Sequence, residues 1–232
     1  MRNHLTAALL SLSAQAVEWN HDQAEIFVDL ARTAYCSHTV YPTHVFTGPT
    51  QGFEVTSVLY DDLYDINGYI GYLPIEDAIY VVFRGTVSAK NDYIDGLIDK
   101  VDYTMWPECD CKVHEGFQMG YLQVSDQTLS EVQRLQLQYP TAVVRTTGHS
   151  LGAALDTLTT MMLIKNGIEI ESSYTFGQPR IGDKKFAAFV NEKLDSQLRV
   201  VHLKDVFPHT PLSGFPEYYL QSAREVWEYE EG

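Results

Sequence analysis

The chain has 232 residues, enough for one domain to bury a core without staples, and its 45% hydrophobic and 12% aromatic content is that of an ordinary globular protein. Against 31 acidic residues stand 16 basic ones, a net charge of −15 that repels phosphate backbones and anionic headgroups. This argues against nucleic acid as a partner and against electrostatic docking on an anionic membrane, and it favours neutral substrates.

Residues 1–16 open with Arg2, continue through a short apolar run and end on an Ala-x-Ala pattern, the layout of a secretory signal peptide. The expectation is a secreted protein, or otherwise a soluble cytoplasmic one, with residues 17–232 forming a single domain. No apolar stretch approaches the roughly 20 residues needed to span a bilayer. Next, Ala24, Phe27, Val28, Ala31, Ala34 and Tyr35 recur at helical spacing and predict a first helix. Three β-rich runs follow at Phe53 to Tyr60, Tyr69 to Leu73 and Ala78 to Phe83, with Asn67-Gly68 read as the turn between the first two. Helices are expected near Gly120 to Tyr139, Ser150 to Asn166 and Asp183 to Leu194. They interleave with strands at Ala142 to Thr147, Ser172 to Phe176 and Leu198 to Leu203. This alternation predicts an α/β protein with a mostly parallel central sheet flanked by helices, and ligands bind at the strand C-termini of such sheets.

Three cysteines, Cys36, Cys109 and Cys111, cannot all pair within the chain. In an oxidising compartment one bridge from Cys36 to either Cys109 or Cys111 is expected, and the sequence does not choose. A metal held by these three with His114 is the alternative, but a two-residue Cys spacing is unusual for zinc.

The most informative stretch is Gly148-His149-Ser150-Leu151-Gly152, a G-x-S-x-G run between the β-prone Ala142-Val143-Val144 and a helical pattern from Leu151 to Met162. Strand, sharp turn and helix in that order lift a serine hydroxyl out of the sheet beside a helix N-terminus, so Ser150 is a candidate nucleophile. Serine at its free pKa is a poor nucleophile and needs a base, usually a histidine oriented by a carboxylate. Asp205 follows the strand ending at Leu203, where the orienting acid belongs in the chain order Ser, Asp, His.

Phe83-Arg84-Gly85-Thr86 with Asn91 and Asp95, then Val113-His114-Glu115-Gly116-Phe117, the serine motif, Thr175 to Gly182 and Asp205-Val206-Phe207-Pro208-His209 stand in one order. Together they resemble the class 3 lipases, the filamentous-fungal type that includes feruloyl esterases, over residues 24 to 228. The resemblance implies an α/β-hydrolase fold without a cofactor and carboxylic ester hydrolysis through an acyl-enzyme on Ser150. Thr86 and the backbone N–H of Leu151 would form the oxyanion hole, Asp95 would steady the Thr86 loop, and Asp205 would orient the base. The family's lid position falls on residues 96–112, where apolar residues are interleaved with charge. Such a segment suits either a pocket cover or a plain surface loop, and its polarity leans toward short-chain, medium-chain or aromatic esters over long triglycerides.

One element of the pattern is missing. The family's catalytic histidine comes from a segment well beyond the strand that here reads Arg224 to Glu228, and this sequence stops at Gly232. Three readings stand: a truncated form of a longer enzyme, a homologue that binds esters or lipids with impaired turnover or none, or His209 acting as base. The last has little chain in which to align with Asp205 and Ser150. In the family arrangement His149 points away, while His114 and His202 read as core-like positions. The sequence alone leaves the base unassigned.

Overall fold

The first helix, α1 (His21–Thr33), begins where the Asn20 side chain accepts the Gln23 N–H at 3.0 Å. Its apolar stripe is buried through Ala24, Phe27, Leu30 and Ala31. The computed structural model to which this description refers covers residues 18–213 and 218–229, so the leader-like residues 1–16 lie outside the described residues.

Strands β1 (Glu54–Asp61), β2 (Ile66–Leu73) and β3 (Ala78–Phe83) form an antiparallel meander. From β3 the sheet continues in parallel through β6 (Val143–His149), β7 (Ser172–Phe176), β8 (Gln197–His202) and β9 (Arg224–Glu228). The spatial order is β1-β2-β3-β6-β7-β8-β9. β3 is buried along its whole length, and its residues divide by period two. Ile79, Val81 and Phe83 join the core under α5 (Leu151–Lys165), while Ala78, Tyr80 and Val82 join the core under α1. Helices on both faces thus cover the parallel part of the sheet, and the strand C-termini meet along one edge.

The Asn67-Gly68 turn expected from the sequence is not a turn. Both residues lie inside β2, and the chain reverses at Asp62 to Asp65, where Asp65 takes φ 54. Here Gly68 serves close approach, because a Cβ there would clash with the Val82 carbonyl and come 3.2 Å from the Phe83 ring. The helix expected from Gly120 to Tyr139 is two, α3 (Glu115–Leu122) and α4 (Ser125–Gln138), broken at Gln123-Val124. A short helix that periodicity missed, α2 (Ala89–Asp95), is capped by Ser88.

Of residues 96–112, Ile98 borders the large cavity described below. The segment carries β4 (Lys100–Asp102), which pairs with β5 (Lys112–His114). Tyr103 and Cys111 are buried in the core, with Met105 and Trp106 packed against it. The segment is therefore partly built into the core. Neither expected cysteine arrangement occurs: Cys109 pairs with Cys111, and Cys36 is a free thiol. Asp110, at φ 49, turns the chain so that the two Cα atoms lie 5.2 Å apart, inside the range a disulfide spans. Among the described residues no helix is long and apolar enough to cross a membrane.

Candidate active site

Ser150 occupies the junction of β6 and α5 at φ 56, ψ −124, a conformation L-residues avoid unless the surroundings impose it. Two glycines impose it. A Cβ on Gly148 would overlap the Gly152 carbonyl, and one on Gly152 would lie 2.5 Å from the Phe83 carbonyl, so only glycine lets α5 leave the sheet this close to β3. The Ser150 N–H donates to the Phe176 carbonyl at 2.9 Å, which anchors the turn to β7. Leu151 is the first residue of α5, where an N–H has no intrahelical partner and the helix dipole favours negative charge.

Across from the turn lies the loop that leaves β3. The Thr86 hydroxyl donates to Asp95 Oδ2 at 2.6 Å. Burial raises the Asp95 carboxyl to about 6, against the Thr86 hydrogen bond that lowers it, so it is ionised and accepting at neutral pH. Asn91 stitches the loop together: its Oδ1 accepts from the Val87 N–H at 3.1 Å and its Nδ2 donates to the Tyr64 carbonyl at 2.7 Å. Beside it Arg84 pairs with Asp65 at 2.9 Å.

Asp205 lies two residues after Leu203, which takes φ 49. Its Oδ1 accepts the Phe207 N–H at 2.9 Å, and its Oδ2 lies 3.0 Å from the point a Gly177 Cβ would occupy. Trp227 of β9 donates to the Leu203 carbonyl at 2.9 Å, and Gln221 donates to the carbonyls of Gln178, at 3.0 Å, and Pro208, at 2.5 Å. The loop bearing the carboxylate is therefore tied to its neighbours from two sides.

Ser150, Leu151, Thr86, Asp95 and Asp205 all border one open, largely apolar cavity of about 1310 Å³. Five positions singled out from sequence are thus brought together. His209 is not among them: it borders a smaller recess with Lys204, Trp227 and Asp205 itself. His202 is also off the site, exposed and 3.5 Å from Glu228, so it is not the core-like residue expected. His114 is fully buried, and its Nδ1 accepts the Phe117 N–H to start α3. Burial pushes it down to about 4, against the Asp95 main-chain carbonyl, which raises it.

His149 departs from expectation the other way. Its ring does not point away but lines the cavity, and its Nδ1 lies 2.5 Å from the Tyr35 hydroxyl. Neither Tyr35 nor the direction of His149 is visible in the sequence, because the pair is separated by 114 positions and meets only in the fold.

With this geometry in view, the comparison with known proteins is direct: the family description "Lipase (class 3)" matches residues 80–215. The chain belongs to the class 3 lipase family. The lipase of Rhizomucor miehei is 32% identical over 209 residues, covering 87% of this chain and 56% of that protein. A secreted mono- and diacylglycerol lipase of Gibberella zeae is 32% identical over 179 residues, covering 66% of this chain and 43% of its own length. Among solved structures, a triacylglycerol lipase whose catalytic centre is described as a serine protease triad superposes with a TM-score of 0.78. It is 30% identical and covers 89% of this chain and 79% of its own. This class 3 lipase chain spans about half the length of the curated relatives it matches. Its mostly parallel sheet flanked by helices is the α/β-hydrolase fold of those structural neighbours.

Proposed function

We propose that the chain hydrolyses carboxylic esters through Ser150. The observation that carries this reading is the serine held at φ 56 on the wall of a large apolar cavity, between a helix N-terminus and the Thr86 loop. Attack of Ser150 Oγ on an ester carbonyl forms a tetrahedral intermediate. The backbone N–H groups of Leu151 and Thr86 face its oxyanion, the Thr86 hydroxyl being fixed by Asp95. Each such donor is worth roughly 3 kcal/mol when preorganised in a site poor in water. Expulsion of the alcohol leaves an acyl-enzyme that water hydrolyses, with Asp205 orienting the base. No step needs a cofactor.

The substrate in this reading is a neutral ester or lipid, in keeping with the charge of −15. The charge of −15 and the polarity of residues 96–112 lean toward short-chain, medium-chain or aromatic esters, although only Ile98 of that segment borders the cavity. The apolar walls suit a longer acyl chain equally well. Secretion is part of the proposal, supported by a relative named as secreted and by the leader-like residues 1–16.

The test is hydrolysis of p-nitrophenyl butyrate by the chain and by Ser150→Ala. The expected result is turnover that falls by at least about 10³-fold in the variant. Saturable ester binding with no turnover in the unmodified chain would instead make it a non-catalytic ester-binding relative.

A further inference from the structure

No step of the proposed hydrolysis uses the Thr175 to Gly182 motif, yet one of its residues holds a cavity wall. Beyond Asp205, four successive carbonyls are taken by two residues. The Pro208 carbonyl accepts from Gln221 Nε2 at 2.5 Å, and the Thr210 carbonyl accepts from the Arg180 backbone N–H at 2.7 Å. The His209 and Pro211 carbonyls accept from Arg180 Nη1 at 2.6 Å and 2.8 Å, which uses both hydrogens of that nitrogen. The N–H groups of the same segment are spent locally: Phe207 donates to Asp205 Oδ1 at 2.9 Å, His209 to the Val206 carbonyl at 3.0 Å and Thr210 to the Phe207 carbonyl at 2.9 Å.

This strap is part of the site, because Phe207, Thr210, Pro211 and Leu212 border the cavity that Ser150 borders. Apolar burial does little to hold it there. Of residues 206–212 only Pro208 is buried, and Phe207 and Leu212 are 58% and 79% exposed. Hydrogen bonds to its carbonyls therefore set its position.

We propose that Arg180 is a positioning residue whose guanidinium fixes the strap of residues 207–212 and thereby sets which size of ester the cavity admits beside Ser150. This rests on the ester-hydrolase reading and adds a determinant of specificity to it. A guanidinium suits the task, because its planar fork presents N–H groups in fixed directions and its permanent charge strengthens each bond to a carbonyl dipole. Burial lowers Arg180, and the like charge of Arg199 lowers it further, but an arginine stays protonated near pH 7, so the clamp holds its charge. The segment that carries Arg180 is itself anchored. The Gln178 side chain accepts from the Thr175 hydroxyl at 2.8 Å in the core, and its carbonyl accepts the second bond from Gln221 Nε2 at 3.0 Å. Gln221 thus ties the strap to the same segment from the other end.

The experiment pairs hydrogen exchange with ester selectivity, for the unmodified chain, Arg180→Ala and Arg180→Lys, each with and without millimolar guanidinium chloride. A peptide covering residues 204–213 reports the strap, and one from α5 reports the fold. The expected result is strap exchange at least about tenfold faster in Arg180→Ala with α5 unchanged, and recovery when guanidinium fills the space that the side chain left. Arg180→Lys keeps the charge and loses the fork, so it falls between the two, and it carries the comparison should Arg180→Ala lose its fold. The ratio of kcat/KM for p-nitrophenyl butyrate to that for p-nitrophenyl dodecanoate shifts by at least about fivefold in Arg180→Ala and returns with guanidinium. Strap exchange within about twofold of the unmodified chain overturns the proposal. Faster exchange with an unchanged ratio also overturns it, since Arg180 would then be structural alone. A chain that turns over no ester overturns the ester-hydrolase reading, whereas strap exchange that guanidinium does not restore overturns the clamp whatever the turnover.

Discussion

At the scale of single residues, the site is a set of costs imposed by neighbours. Ser150 at φ 56 carries backbone strain on the order of 1–3 kcal/mol, which the fold maintains through Gly148, Gly152 and the anchor to Phe176. Thr86 holds its place by donating to Asp95. Thr86→Val keeps the shape and removes that donor, and kcat for ester hydrolysis is expected to fall about 10²-fold with KM little changed, as for the loss of one preorganised oxyanion contact. Unchanged kcat would show that the hydroxyl plays no part in holding the oxyanion loop. Ser150 was legible in the sequence through its own strand, turn and helix pattern, whereas Thr86 was legible only through the resemblance to the class 3 lipases and Asp205 through that resemblance together with its place past a strand. Tyr35 was legible only as a member of a helical stripe, since a contact made across 114 positions leaves no local pattern.

At the scale of elements, legibility followed burial. Helix α5 is buried from Leu151 to Leu163, an apolar run that could only be central, and its strands were predicted within a residue or two. Errors arose where a residue served close packing in place of chain reversal, as Gly68 does in β2, and where polar and apolar residues alternated without a period, as in residues 96–112. The strand and α5 meet with no room for a methyl group, so Gly152→Ala is expected to cost about 1–3 kcal/mol. That corresponds to a melting point lower by roughly 2–4 °C per kcal/mol. Gly96→Ala, whose Cβ would find its nearest neighbours at 3.4 Å, is the control and is expected to melt with the unmodified chain. Equal melting of both variants would contradict the packing account of the serine turn.

At the scale of the whole molecule, one fully buried carboxyl lies away from the site. Asp156 of α5 is fully buried, accepts from Ser173 at 2.9 Å, and is pushed by burial up to about 8. Its folded pKa is raised, so it binds a proton when the unfolded chain does not. Its contribution is therefore full below the ordinary carboxylate pKa and is lost as pH rises toward about 8. Thermal melts from pH 5 to pH 8 should fall, and Asp156→Asn should flatten that fall; a variant that loses stability as steeply would place the cause elsewhere. The net charge of −15 adds self-repulsion in the same direction, and because Asp156→Asn changes it by a single unit the comparison isolates the buried group.

Ser150 as a working nucleophile underlies the proposed ester hydrolysis. Its most direct measurement is the intact mass after incubation with a fluorophosphonate, followed by peptide mapping. The expected result is one stoichiometric adduct on the peptide bearing Ser150 and none in Ser150→Ala. An unmodified mass, or an adduct that persists in Ser150→Ala, would contradict it.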